Sequence, residues 1–313
     1  MLTYIRCPME WFFYSRTSYS KKTDYPRLCG VEVHGHIAGL YRKTKKPRTF
    51  YYQTAISAIF AWFHRWKRAC EKEKNRIIMA DEETAKKYGK IGAVCVAQYF
   101  RDNIKLPRPM EIESHYRTKY NGVEVVGVMD QIRPVSMDFV RNKRPELIEK
   151  GKLASGYDSV VIVDLKTEYA GKGFSPDSSI DQKIRSQFKL HEGLEPSIYS
   201  YLYEAKHGRK PLGMLWYNLR IGKTFFTYRD DDNHESLFND LDVFLKNINA
   251  ENFPKNIGKH CAYCDYIEYC QDKGRLVYSE PEEIYDMDLA VNLRRIYLPR
   301  EIAEPKQLKL KLK

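Results

Sequence analysis

The sequence has no run of the roughly 18 uninterrupted apolar residues that a membrane-spanning helix requires, so no membrane role is expected. Its first residues, Met-Leu-Thr-Tyr-Ile-Arg-Cys7-Pro8, lack the apolar stretch and small-residue cleavage site of an export leader. It also lacks an even set of cysteines. Seven in a chain of 313 residues argue against a disulfide framework and for reduced thiols or metal ligands in a cytoplasmic setting. There is no internal repeat and no convincing linker, so one elaborated domain over 1–275, with a C-terminal extension over 276–313, is the expectation. Charge balance is missing too. The 53 Lys and Arg outnumber 41 Asp and Glu, giving +12, which suggests a polyanionic partner without naming it. What is present excludes a wholly disordered chain: 43% hydrophobic and 13% aromatic residues, with length enough for a sizeable core.

The hydrophobic pattern reads as α/β. An aromatic cluster, Trp11 to Tyr14, follows Cys7-Pro8. From Gln53 to about Cys70, Ile56, Ile59, Phe60, Phe63 and Trp66 recur at helical spacing, with Arg65, Lys67 and Arg68 largely opposite. A second helical stretch runs from about Glu82 to Ile104. Two strand-like runs, Glu111 to Lys119 and Val123 to Arg133, flank Asn121-Gly122, a strong signal for a two-residue hairpin. A polar connection over 134–158 leads to the Val/Ile-rich run from Ser159 to Thr167, which reads as a buried strand. A helix opens at Glu195-Pro196 and ends at His207-Gly208; two strands follow, near Leu212–Arg220 and Lys223–Arg229, then a helix near Leu237–Ile248. Asp230-Asp231-Asp232 reads as the acidic start of that last helix, not as a metal site.

Asp164 and Lys166 are separated by one residue at a strand end, so their side chains share a face. Asp130 lies on the second hairpin arm, within Gly127-Val-Met-Asp130. If the two strands pair, both carboxylates can reach one cation, with His34 as a nitrogen donor. Phosphodiester cleavage needs such equipment: carboxylates hold a hard divalent ion that polarises phosphate and activates water, and a lysine orients that water or stabilises developing charge.

In this order the residues resemble the RecB-like branch of the PD-(D/E)xK nucleases. The pattern is a histidine after a glycine (Gly30-Val-Glu-Val-His34), a Gly-x-x-Asp hairpin arm (Asp130), an Asp-x-Lys strand (Asp164, Lys166) and a Gln-x-x-x-Tyr helix (Tyr199). The resemblance implies a restriction-endonuclease-like mixed central sheet flanked by helices; the helical stretch at about 50–105 reads as an insertion outside the resemblance. It makes His34, Asp130 and Asp164 ligands of Mg²⁺ or Mn²⁺ and Lys166 the catalytic lysine. The helix motif departs from the pattern, because Glu195 stands where glutamine is expected. A glutamate there can bind metal or weaken phosphate binding by repulsion. His36 rivals His34: in a strand the two would share a face, in a helix they would not.

Cys261, Cys264 and Cys270 are spaced C-x₂-C-x₅-C, and Cys7 is the best distant candidate for a fourth ligand. One N-terminal cysteine with this C-terminal trio resembles the iron–sulfur clasp of RecB-like nucleases. It implies a structural 4Fe–4S cluster on Cys7, Cys261, Cys264 and Cys270 that ties the chain's start to its end. The alternative is a zinc site completed by His260 or Cys29. Cys29, Cys70 and Cys95 are read as packing residues.

Lys43, Lys45, Lys46 and Arg48, then Arg65, Lys67, Arg68, Lys72 and Lys74, then Arg141, Lys143 and Arg144 are basic clusters able to neutralise phosphates. The expected function is a metal-dependent exonuclease on single-stranded DNA or DNA ends, in repair, recombination or CRISPR adaptation, with protein partners in a repair or CRISPR adaptation complex. The alternative is a catalytically weak iron–sulfur DNA-binding module of such a complex.

Overall fold

The computed structural model describes residues 2–18, 23–42, 54–77, 81–167, 191, 193–258, 260–261 and 264–272. The basic loop from Lys43 to Arg48 and the extension over 276–313 lie outside them. The chain forms two compact units, one of residues 24–229 and one of 1–23 with 230–313.

The larger unit begins with three long helices, α3 (Tyr25–Arg42), α4 (Ala55–Glu73) and α5 (Glu82–Asn103), preceded in the other unit by α1 (Leu2–Arg6) and α2 (Pro8–Arg16). α3 has no counterpart among the sequence expectations. Its packing overrides the weak helix propensity of Gly30, Val31, Val33, Gly35 and Gly39, since Val33, Ile37 and Leu40 are fully buried. The helical insertion is present as α4 and α5, but its buried face differs from expectation. Ala58, Trp62, Trp66 and Ala69 face inward, while Ile56 is 67%, Phe60 66% and Phe63 43% exposed. Each indole is satisfied by a carbonyl of α5: Trp62 donates to Gly89 O at 2.8 Å and Trp66 to Ala85 O at 2.9 Å.

Five strands follow: β1 (Glu111–Tyr120), β2 (Val123–Pro134), β3 (Tyr157–Lys166), β4 (Lys210–Asn218) and β5 (Lys223–Thr227). They form one mixed sheet in the order β1-β2-β3-β4-β5, parallel between β3 and β4 and antiparallel elsewhere. Asn121 (φ 47°) and Gly122 (φ 80°) supply the two left-handed residues of the hairpin turn, and Tyr120 pairs with Val123 across it. The connection over 134–158 is not a plain loop. It holds α6 (Met137–Lys143), α7 (Pro145–Glu149) and α8 (Lys152–Gly156), started by a Ser136 side-chain cap and by Pro145 in a first turn. Arg144, expected on a basic surface, is buried: its guanidinium stacks on Tyr228 at 3.9 Å and donates to Leu212 O at 2.9 Å.

β3 is buried on both faces, as its apolar run predicts. Val161, Val163 and Leu165 join the core under α3, α4 and α5. Val160 and Ile162 face the other way, into a second core with Leu202 and Tyr203 of α9 (Leu194–His207). By alternation Asp164 and Lys166 project on the α9 side.

The smaller unit holds α1 and α2 together with α10 (Asp231–Asn249) and α11 (Ile267–Asp272), and rings of α1 and α2 meet Phe244 of α10. Asp230 caps α10 in a reciprocal capping box with Asn233, as its acidic start suggested. Rings of Tyr4, Trp11, Phe244 and Phe253 interlock, and the Tyr4 hydroxyl donates to Asn252 O at 2.6 Å. Of the N-terminal aromatic run, Phe13 is buried and Trp11 and Phe12 half-buried, while Tyr14 is exposed.

Candidate metal centre and thiol group

β2 and β3 pair antiparallel, Gln131 with Val163 and Ile132 with Ile162, which brings Asp130 beside Asp164. Asp130 uses both oxygens: Oδ2 accepts the Leu165 backbone N–H at 2.7 Å, and Oδ1 lies 3.2 Å from His34 Nδ1. Because the segment around His34 is helical, the two histidines diverge. His34 meets Asp130, whereas His36 is buried with Nε2 3.0 Å from Ala58 O. Burial pulls the His34 pKa down, but the hydrogen bond and charge of Asp130, with Asp164 and Glu113, leave it above its ordinary value.

Glu113 was not singled out from the sequence. It stands on β1 between the pairs Ile112–Gln131 and Ser114–Met129, opposite Asp130, with a left-handed backbone (φ 48°) unusual for glutamate. One ligand atom each from His34, Glu113 and Asp130 lie within 4.8 Å of one another; Asp164 is outside that group. The signal was available: counting pairs back from the Asn121-Gly122 turn puts position 113 opposite 130.

Asp164 instead faces Lys166, with Oδ2 2.7 Å from Nζ, while Glu195 Oε2 lies 3.3 Å from the same ammonium. Asp164 is 6% exposed, and its Oδ2 meets no hydrogen-bond geometry despite that ion pair. Burial, then the Glu195 charge, pushes the Asp164 carboxyl above the carboxylate range, against the pull of Lys166. Burial lowers and the two carboxylates raise the Lys166 pKa, with a net rise. Tyr199 lies one turn after Glu195; burial and the Glu195 charge push its phenol up. Gly127 lets this helix approach β2, since a Cβ there would fall 2.8 Å from Leu202 Cδ1 and 3.2 Å from Tyr199 Cε1. The buried Arg229 anchors the start of α9, donating to His191 O at 2.9 Å, Gly193 O at 3.0 Å and Ser197 Oγ at 2.7 Å.

Two donor chemistries fit a hard divalent ion here: a nitrogen donor and carboxylate oxygens, one of them buried and lacking a hydrogen bond.

In the smaller unit, Cys7, Cys261, Cys264 and Cys270 are free thiols, with Cys7 at the N-cap position of α2. They are near enough to interact. The Cys264 thiol is pushed up to about 11 by burial and by the charges of Glu10, Cys7 and Cys261. Burial raises Cys270 as well, with Cys7 and Cys261 adding and Lys255 opposing. Ring atoms of His260 lie near Gly258, and its Nε2 is buried without a hydrogen bond. Cys29 and Cys95 are buried in the core beneath α3–α5 in the larger unit, Cys70 packs against that core, and Cys29 reaches Tyr88 O at 3.4 Å.

The model of the PD-(D/E)XK nuclease superfamily matches residues 147–271. That stretch contains Asp164, Lys166, Glu195, Tyr199 and Cys261, Cys264 and Cys270; His34, Glu113, Asp130 and Cys7 lie before it. The five-stranded mixed sheet with flanking helices is consistent with the restriction-endonuclease-like fold of such proteins. The match suggests metal-dependent nuclease activity on DNA with Mg²⁺ or Mn²⁺. No curated protein matches the chain. No described helix is long and apolar enough to cross a membrane.

Proposed function

We propose that the protein is a metal-dependent DNA exonuclease of RecB-like type, acting on single-stranded DNA or DNA ends in repair, recombination or CRISPR adaptation. The observation that carries this reading is the meeting of two ion pairs on neighbouring strands: His34 with Asp130 on β2, and Lys166 with Asp164 on β3. His34, Asp130 and Asp164 are its proposed metal ligands. A divalent cation bound there supplies Lewis acidity towards the phosphate and its attacking water. Lys166, held cationic by Asp164 and Glu195, stabilises charge on the phosphate and does not act as a base. Tyr199 keeps its proton and serves as a neutral donor. Glu195 positions the ammonium.

The proposal includes a structural 4Fe–4S cluster on Cys7, Cys261, Cys264 and Cys270, within one nuclease domain over 1–275. Its support is that Cys7, Cys261, Cys264 and Cys270 lie in one compact unit and that Cys7 and Cys261 both act to raise the Cys264 and Cys270 thiols. Thiolates gathered this way need a compensating cation or cluster.

A second reading has its own observation. Glu195, where the pattern has glutamine, adds a negative charge 3.3 Å from the Lys166 ammonium. That favours a DNA-binding module with weak or no turnover. Cleavage of end-labelled and circular single-stranded DNA, with and without Mn²⁺, separates the readings. Loss of linear substrate with circles spared supports the exonuclease. Tight binding without turnover supports the module.

A further inference from the structure

His34, Glu113 and Asp130 come from three elements, α3, β1 and β2, yet offer ligand atoms within 4.8 Å of one another. Two of these atoms are already in hydrogen-bond contact, His34 Nδ1 and Asp130 Oδ1 at 3.2 Å. Asp164 is differently placed. Its Oδ2 is committed to Lys166 at 2.7 Å, so gathering it onto a cation costs much of that ion pair. Asp164 also lies outside the group of ligand atoms that His34, Glu113 and Asp130 form.

We propose that Glu113 is a metal ligand and that His34, Glu113 and Asp130 carry the affinity for the divalent cation, while Asp164 contributes to the chemistry and little to binding. The inference rests on the metal-dependent reading above and divides its labour differently from the His34, Asp130 and Asp164 ligand set.

The test is Mn²⁺ binding to the full-length protein, measured by titration with electron paramagnetic resonance and by the Mn²⁺-induced rise in melting temperature. Glu113→Gln weakens Mn²⁺ binding about 10-fold or more and shrinks the Mn²⁺-induced rise, because one of three charged or nitrogen donors is lost. Glu113→Asp recovers part of it. Asp164→Asn stays within about threefold of wild type in binding. A glutamate with a merely structural role would lower the melting temperature without metal and leave the Mn²⁺-induced rise unchanged. Spin-echo modulation from a histidine nitrogen on bound Mn²⁺ is expected in wild type and persists in Asp164→Asn, a readout independent of how Glu113 variants fold.

Wild-type affinity in Glu113→Gln overturns the inference, as does a larger loss in Asp164→Asn or a wild-type protein that binds no Mn²⁺. Cleavage is scored separately. An active enzyme whose Glu113→Gln form binds Mn²⁺ normally keeps the nuclease reading and sinks the Glu113 assignment. Glu113-dependent Mn²⁺ binding without cleavage does the reverse.

Discussion

The two candidate centres collect negative charge by opposite means. The centre in the larger unit gathers carboxylates that find cationic partners within the chain: His34 lies against Asp130, and Lys166 lies between Asp164 and Glu195. The group in the smaller unit gathers thiols, and burial raises the pKa of two of them, Cys270 and Cys264, the latter to about 11. The carboxylates of the oxygen centre thus already have nitrogen partners within the chain. The thiol group acquires its charge only when a metal or cluster displaces its protons. The first suits exchange of a hard cation during turnover. The second suits a fixed, structural load.

The largest test of this contrast removes the lysine pair. Asp164→Ala or Lys166→Ala lowers cleavage by about 10³-fold or more, with melting temperature and thiol-group absorbance unchanged. Steady-state cleavage and visible absorbance on the same samples check both halves. Next, Cys264→Ser loses the visible absorbance of anaerobically purified protein and costs about 2–5 kcal/mol of stability, by denaturant titration, if the load is structural. Mn²⁺ binding in the larger unit stays within about twofold.

A pH experiment isolates the scaffold from both centres. His191 is buried against Thr227 Oγ1 at 2.6 Å, and burial with the Arg229 charge lowers its pKa to about 4. A histidine depressed in the folded state leaves stability intact above about pH 6.5, where the unfolded histidine is also neutral. Stability is lost as pH falls from there through 4, by up to about 3 kcal/mol. His36, also lowered to about 4, adds loss of the same sign. Denaturation at pH 7.5 and 5 measures the drop, and His191→Gln flattens it.

The smallest effects belong to the helix motif. Tyr199→Phe and Glu195→Gln change cleavage by about 10-fold or less, the glutamine variant lowering KM for DNA by removing a charge that repels phosphate. A kcat and KM comparison checks this.

How far the sequence carried these features follows from what each depends on. The hairpin was legible because Asn121-Gly122 dictates a local turn, and β3 because a Val/Ile run has few other uses. Register was implicit in that turn, yet Glu113 escaped notice because an acidic residue in a strand carries no mark of its own. α4 was read in part on the wrong side: Trp66 is buried as expected, but Ile56, Phe60 and Phe63 are exposed because they outweigh Ala58 and Ala69 only in apolar mass, not in fit. Packing on α5 chose the Trp62 and Trp66 stripe instead, where two indole N–H groups find carbonyls. α3 was hidden by its glycines and valines, whose cost only tertiary burial offsets. The helices over 137–156 were hidden by polar composition, although Ser136 and Pro145 mark two of their starts. The His34–Asp130 contact spans 96 residues and needed the whole sheet in place.

The central claim is a metal-dependent nuclease centre built on Asp130, Asp164 and Lys166. Its most direct test is Mn²⁺-dependent cleavage of end-labelled single-stranded DNA by wild type and by the Asp164→Ala, Lys166→Ala double variant. The account predicts cleavage by wild type that a chelator abolishes, and none by the folded double variant. Equal Mn²⁺-dependent cleavage by both would contradict it.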